Sequence, residues 1–349
     1  MHKILPLTII LLTIPELCSY LYGEGKVRIP VTNSHYTLTT TLSLGSHPDH
    51  LRVLLNTASS ETWVPSSDCD RRLTWCREHG HYNHRESKSH EDRHRNFTAH
   101  YQDNEVGGRV SADLVQIGDV ILQGVEFGEA LSSRTDFSYS GFDGVLGLGP
   151  AKVSSTGHPF LTELLAKGLD DTVFSFSLSS PDNASVVVGG VQYDSYTGNM
   201  VWSKIISPER WQIEIPDIKV GTISLCSTGC VLEFSTEVEV IVGPLMQVEQ
   251  LYQLVDAREI PGVTIRSVDC SKVEEFPNLT FIVKGVEFSV TPREYVESTK
   301  VGSTEFCFLM ITSVEADVDR WIMGTLAHQP LYVAYDFGRN QIGLAQAVR

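Results

Sequence analysis

Residues 51–65 are the stretch around which any chemistry in this chain must be sought. The apolar run Leu51-Arg52-Val53-Leu54-Leu55 ends in Asn56-Thr57-Ala58-Ser59-Ser60, and Trp63-Val64-Pro65 follow. A strand that ends in a tight turn of small residues displays its polar tips in a cleft. The leading tip, Asn56, is an amide, which holds a water by hydrogen bonds and cannot deprotonate it. Farther on, Ser235-Thr236-Glu237-Val238-Glu239 lies between Cys226/Cys230 and Gly243-Pro244 and carries two carboxylates, Glu237 and Glu239. A third group is histidine: His79, His81, His84, His90, His94 and His100 crowd a stretch of alternating acids and bases. A His-x-His pair with further histidines is a zinc or copper pattern, which makes His79, His81 and His84 the candidate ligands. The segment is otherwise very polar, which fits a solvated surface loop. Clustered histidines also gain charge near about pH 6 and would make that surface acid-sensitive.

The elements that must position these groups read as strands. Runs rich in β-branched residues occur at 36–44, 110–117, 186–188, 238–242, 279–283 and 331–335, punctuated by Gly, Asn, Asp and Pro. Helical signal is confined to 161–167 and 244–255. The fold class is therefore all-β, with many short strands. No short repeat is visible. With 349 residues, 42% of them hydrophobic, the chain can bury a large core, and its length favours two lobes.

The formal net charge of -16 argues against nucleic acid and anionic membrane as partners. Met1-His2-Lys3 precedes the apolar run 4–14, a signal-peptide core too short for a membrane span. Residues 1–23 are read as that signal peptide, which sends the chain to the extracellular space or an endolysosomal lumen. Of seven cysteines, Cys18 lies in the signal peptide. The remaining even number in a secreted chain suggests disulfides, with free or otherwise connected thiols as the alternative. Sequons at Asn96, Asn183 and Asn278 fit the same compartment. No cofactor is expected, no later segment is apolar enough to anchor the chain, and a monomer is expected.

The stretch at 56–65 resembles the first active-site loop of the pepsin-like aspartic proteases (peptidase family A1), whose pattern is Asp-Thr-Gly-Ser-Ser-x-x-Trp-Val-Pro. Thr57, Ser59, Ser60, Trp63, Val64 and Pro65 match it; Asn56 stands for the Asp and Ala58 for the Gly. The resemblance runs over nearly all of the chain after residue 35. Residues 36–48 resemble the first hairpin, and 101–118 the flap hairpin, with Tyr101 as the flap tyrosine. Phe142-Asp143-Gly144-Val145-Leu146-Gly147-Leu148-Gly149 matches a specific family stretch. Residues 196–213 resemble the crossing between lobes, and Trp321-Ile322-Met323-Gly324 and Tyr335-Asp336-Phe337 the C-terminal strands.

The resemblance implies a bilobal pepsin-like fold with a cleft between an N-terminal lobe at 24–195 and a C-terminal lobe at 196–349. It implies disulfides Cys69/Cys76, Cys226/Cys230 and Cys270/Cys307. Counting from the cysteine pair and from Gly243-Pro244 places Ser235 at the second catalytic Asp and Glu237 at its Gly. The threonines that bond across the lobes in the family correspond to Thr57 and Thr236, and both are present. Tyr101 is expected to cap a groove beside Trp63. The side chains at Ala58 and Glu237 are expected to distort or fill the turns, since glycine there permits positive φ and close approach.

Aspartic proteolysis needs two carboxylates sharing one proton around a water. With Asn56 and Ser235 at both positions, the expected protein is an aspartic-type endopeptidase by family and inactive by chemistry, binding an extended peptide or protein in the cleft. The alternatives are a residual endopeptidase acting at acid pH and a metal-binding protein using the histidine loop. The family carries a propeptide of several dozen residues before the first hairpin. Only 20–35 intervene here, and Lys26-Val27-Arg28-Ile29-Pro30 resembles no more than its beginning.

Overall fold

The computed structural model describes residues 25–101, 104–134, 140–150, 154–166, 168–178, 184–226, 228–315 and 320–348. Residues 1–23, where a signal peptide is expected, with Cys18, and Asn183 of the second sequon lie outside them. Strands predominate in an all-β, bilobal pepsin-like fold. One eight-stranded sheet is built from strands between Thr32–Ser34 and Gly144–Gly147. A five-stranded sheet and two four-stranded sheets hold the strands between Gln212–Ile215 and Arg320–Met323. A six-stranded sheet joins both halves of the chain in the order Val27–Pro30, Ser185–Val188, Val173–Ser177, Leu331–Asp336, Gln341–Ala347, Tyr196–Lys204.

That sheet is covered on both faces, so its inner strands are buried along their whole length. Period-2 alternation still sorts the side chains: Leu331, Val333 and Tyr335 enter the main core, while Tyr332 and Ala334 join a smaller apolar cluster on the opposite face. Residues 27–30, which resemble the start of a propeptide, form an edge strand of this sheet, with Val27 opposite Val188.

The two halves repeat one motif that no sequence repeat announces. Strand Asp49–Asn56 and strand Trp63–Pro65 flank Gly144–Gly147, parallel to the first and antiparallel to the second. In the same way Cys230–Phe234 and Ile241–Pro244 flank Arg320–Met323. In each case the connecting loop crosses the end of the middle strand, and glycine leaves it room. A Cβ on Gly147 would lie 2.4 Å from the Ser60 carbonyl carbon, and one on Gly324 would lie 2.1 Å from the Val240 carbonyl oxygen.

Most strand expectations hold, and Leu245–Leu254 and Phe160–Leu165 are the expected helices. The run 238–242 is a correction: its strand is Ile241–Pro244. The carbonyls of Val238 and Glu239 instead accept from the amides of Thr325 and Leu326, so that backbone cannot enter a ladder.

Where the sheets meet, Trp211 is fully buried against Tyr335, their rings 5.1 Å apart, and its indole N–H donates to the Leu148 carbonyl at 2.9 Å. Nearby, His328 Nδ1 lies 2.9 Å from the Gly324 carbonyl and must carry the hydrogen. Its Nε2 then accepts from the Tyr335 hydroxyl at 2.7 Å. Burial lowers the His328 pKa from 6.5 to about 4, so the ring stays neutral. Above pH 6.5 it adds no pH dependence; below that the unfolded chain takes up a proton that the folded chain refuses down to about 4. Through this group stability is expected to fall by roughly 2–4 kcal/mol across that window. Urea unfolding at about pH 7.5 and about pH 4.5 measures it, and His328→Gln should flatten the slope between the two.

Candidate active site

The loops after Asn56 and Ser235 meet through two threonines. The Thr57 N–H donates to Thr236 Oγ1 at 3.0 Å, and the Thr236 N–H donates to Thr57 Oγ1 at 3.0 Å. Each hydroxyl then donates past its partner: Thr57 Oγ1 to the Phe234 carbonyl at 3.2 Å, and Thr236 Oγ1 to the Leu55 carbonyl. Both threonines are buried, so these bonds satisfy groups that water cannot reach. The contact joins residues 179 apart in the chain.

Each loop is closed by the side chain at its first position. Asn56 Oδ1 accepts the Ala58 N–H at 2.8 Å, and Ser235 Oγ accepts the Glu237 N–H at 3.2 Å. These are Asx- and Ser-type turns, in which a short polar side chain mimics a backbone turn. The turns are not distorted. Neither Ala58 nor Glu237 has positive φ, so neither position needs glycine here. Ser59 closes its loop in the same style, its Oγ accepting from the Glu61 N–H at 3.1 Å.

Glu237 does fill the site. Its Oε2 accepts from Asn56 Nδ2 at 2.9 Å, and Asn56 is itself fully buried. Because Asn56 Oδ1 is held by Ala58, the amide nitrogen is the atom that faces the carboxylate. Glu239 accepts from the Thr37 hydroxyl at 2.8 Å on the far side of the junction. Both glutamates line a cleft of about 630 Å³. Its other walls include Tyr36, Leu54, Tyr101, Phe142, Ile265 and Met310, so an acidic floor meets apolar sides.

Tyr101 ends the strand Glu91–Tyr101 and overhangs this space. Its ring stands edge-on to Phe142, 5.5 Å between centroids, and packs on the apolar cluster that contains Trp63. Burial first, then the charges of Glu237 and Glu239, push its phenol well above the ordinary range.

The histidine loop is taken apart by the fold. His79 Nδ1 lies 3.4 Å from Asp143, His81 Nε2 lies 3.1 Å from the Arg71 guanidinium, and His84 Nδ1 lies 3.0 Å from that of Arg109. Among the described residues no group of three His, Cys, Asp or Glu side chains is placed to hold a metal ion. His84 and His90 instead flank a carboxylate that the sequence reading missed. Glu129 is fully buried and accepts from Arg109 at 2.8 Å, from Ser66 at 2.7 Å and from Ser111 at 2.5 Å. Burial opposes ionisation of Glu129, and the bonds from Arg109, Ser111 and Ser66 outweigh it and hold its pKa below the usual range. The alternation through Val125-Glu126-Phe127-Gly128-Glu129 was the available signal, since it puts Glu129 on the same face as Phe127 and Val125.

The three cysteine pairs form disulfides as the resemblance implied: Cys69–Cys76, Cys226–Cys230 and Cys270–Cys307. Asn96 and Asn278 are exposed, as carbohydrate attachment requires.

Thr236→Val would orphan the buried Thr57 N–H and take the donor from the Leu55 carbonyl, a loss of about 2–4 kcal/mol. Thr57→Val removes the reciprocal half. Urea unfolding of both single variants and the double should show coupling of roughly 1–3 kcal/mol, against simple additivity if the threonines act separately.

The model of the eukaryotic aspartyl protease family matches residues 36–347. Cathepsin E of Mus musculus is 30% identical over 319 residues, covering 88% of this chain and 79% of the relative. Cathepsin D of Dictyostelium discoideum is 30% identical over 318 residues, covering 88% and 82%. Gastricsin of Homo sapiens is 30% identical over 314 residues, covering 88% and 80%.

Proposed function

The chain belongs to the eukaryotic aspartyl protease family, and from that premise we propose that it binds an extended peptide in the cleft without hydrolysing it by two-aspartate chemistry. The observation that carries this reading is the pair of loop tips. An amide, Asn56, and a hydroxyl, Ser235, hold the two turns where the family pattern has carboxylic acids. Two-carboxylate hydrolysis needs one carboxylate to take a proton from water and the other to give one to the peptide carbonyl, each role worth roughly 10²–10⁴ in rate. Neither Asn56 nor Ser235 does either at accessible pH.

Binding needs less than catalysis. An extended peptide is held by main-chain hydrogen bonds and by pockets for alternate side chains. The cleft supplies apolar walls at Leu54, Phe142, Ile265 and Met310, with Tyr101 above and Thr37, Thr236 and Glu239 as polar contacts. In this reading residues 1–23 direct the chain into the secretory route, and Asn96, Asn183 and Asn278 carry glycans. The cleft divides the lobes 24–195 and 196–349 of a monomer. Among the described residues no helix is long and apolar enough to cross a membrane.

The test uses the glycosylated protein with a diverse peptide library from about pH 2.5 to about pH 7, read by mass spectrometry for products and by calorimetry for retained peptides. The expected outcome is binding without new termini, weakened about ten-fold or more by Tyr101→Ala, the loss of one buried aromatic contact. Peptide cleavage by the unmodified protein would overturn the reading.

A further inference from the structure

We propose that Glu237, two residues beyond the position where the family pattern puts its second aspartate, is the second acid of this site, so that a carboxylate at residue 56 alone would complete a proton-sharing pair. This rests on the reading of the cleft as a peptide site whose two-aspartate chemistry is missing.

The geometry leads there directly. Asn56 Oδ1 is committed to the Ala58 N–H at 2.8 Å, which turns Nδ2 toward Glu237 Oε2 at 2.9 Å. The amide hydrogen thus lies between two heteroatoms at an ordinary N–H···O separation, a few tenths of an ångström longer than the roughly 2.5–2.7 Å at which two carboxyl groups share a proton. The native pair carries one negative charge and one bridging hydrogen, the same count as a singly protonated pair of acids. It differs in one respect, that the amide does not release its hydrogen.

Changing that single nitrogen to oxygen preserves the frame. Oδ1 keeps the Ala58 N–H, and the new oxygen faces Glu237 Oε2, close enough to draw in to a shared proton. Two carboxylates this close cannot both ionise, so they hold one proton between them. Ser235 serves this arrangement as a positioning residue. Its Oγ accepts the Glu237 N–H at 3.2 Å and fixes the turn from which the longer glutamate side chain reaches back over Asn56. The pair reaches ligand space through Glu237, which lines the cleft and whose charge acts on the Tyr101 phenol, while residue 56 lies buried behind it.

With aspartate at 56, the ionised member of the pair takes a proton from water as the water oxygen bonds to the peptide carbonyl carbon. The protonated member gives its proton to the carbonyl oxygen. The resulting tetrahedral diol collapses as the C–N bond breaks, its proton passes to the leaving nitrogen, and the pair returns to one proton.

Three proteins test the assignment: the native chain, Asn56→Asp, and Asn56→Asp with Glu237→Gln. Asn56→Asp is expected to cleave library peptides at about pH 3–5 at roughly a hundredfold or more above the native background, and Glu237→Gln to abolish that gain. A readout independent of turnover is the melting temperature. Relative to the native chain, Asn56→Asp should lose stability progressively from about pH 4 to about pH 7 as the shared proton leaves, and the double variant, which keeps only the desolvation of a buried carboxyl at residue 56 without the repulsion of a second one, should lose clearly less. An Asn56→Asp protein that folds at about pH 4 and not at about pH 7 supports the pair as well. One that fails at both, or whose activity or pH-dependent melting is unchanged by Glu237→Gln, overturns it, as does an inert Asn56→Asp that melts like the native chain at every pH. Cleavage by the native chain would overturn the non-hydrolytic reading instead, and its loss or survival in native Glu237→Gln would then decide the role of Glu237.

Discussion

The reciprocal threonine contact is the constraint on which the rest of the site depends. Two loops separated by 179 residues have to approach within hydrogen-bonding distance, and both arrive at the ends of strands buried inside their own sheets. Four hydrogen bonds then close the junction without water, each backbone amide satisfied by the opposite hydroxyl. Breaking one member of such a buried junction is costly, because it leaves polar groups without partners in the interior. Everything displayed beyond it, from Asn56 to Glu239, inherits its position from that contact. The crossing of the loops needs Gly147 and Gly324, and neither gap would accept a methyl group.

Held in this frame, the groups at the tips are free to differ chemically while remaining alike in shape. Asparagine and serine accept the amide two residues on as aspartate would, so the turns close equally well without acids. What changes is the proton inventory. An amide is a fixed donor and a hydroxyl is a weak acid, so the site keeps its directions and loses its titration. Glu237 reintroduces a charge to this neutral pair, and the Asn56 amide compensates it at 2.9 Å. A fully buried carboxylate, Glu129, is stabilised on the same principle beside the histidine loop, by Arg109 and two hydroxyls.

Much of this was legible in the sequence, and the reason is local. The strand alternation and the motifs are properties of short stretches; the first led to the all-β class, and the second, through the family resemblance, to the disulfides and the threonine pair. What was not legible depended on contacts across the fold. Glu237 sits two residues from Ser235, which says nothing about which way its side chain points; its partner lies 181 residues away. The histidines looked like one cluster because they are close in sequence, and the fold gives His79, His81 and His84 different partners while His84 and His90 share Glu129. Val27–Pro30 resembles the start of the family's propeptide, while its register against Ser185–Val188 makes it part of the six-stranded sheet. The duplicated three-strand motif left no trace as a repeat, because its backbone path is set by burial and by two glycines, which many sequences satisfy.

The separation between frame and chemistry has a thermodynamic root. Losing a catalytic acid removes a titratable group from a buried site and relieves the repulsion between two carboxylates, so it tends to favour the folded state. Losing the threonine contact or a crossing glycine does the opposite, since it leaves unpaired amides or a steric clash in the core. Substitutions of the first kind are therefore tolerated while those of the second kind are not. A chain descended from a protease can drift away from hydrolysis and keep a cleft of about 630 Å³ with its walls in place. In the reading proposed above, this chain keeps one carboxylate and one bridging hydrogen at the loop tips, an arrangement with the polarity of an acid pair that a peptide backbone could meet with hydrogen bonds.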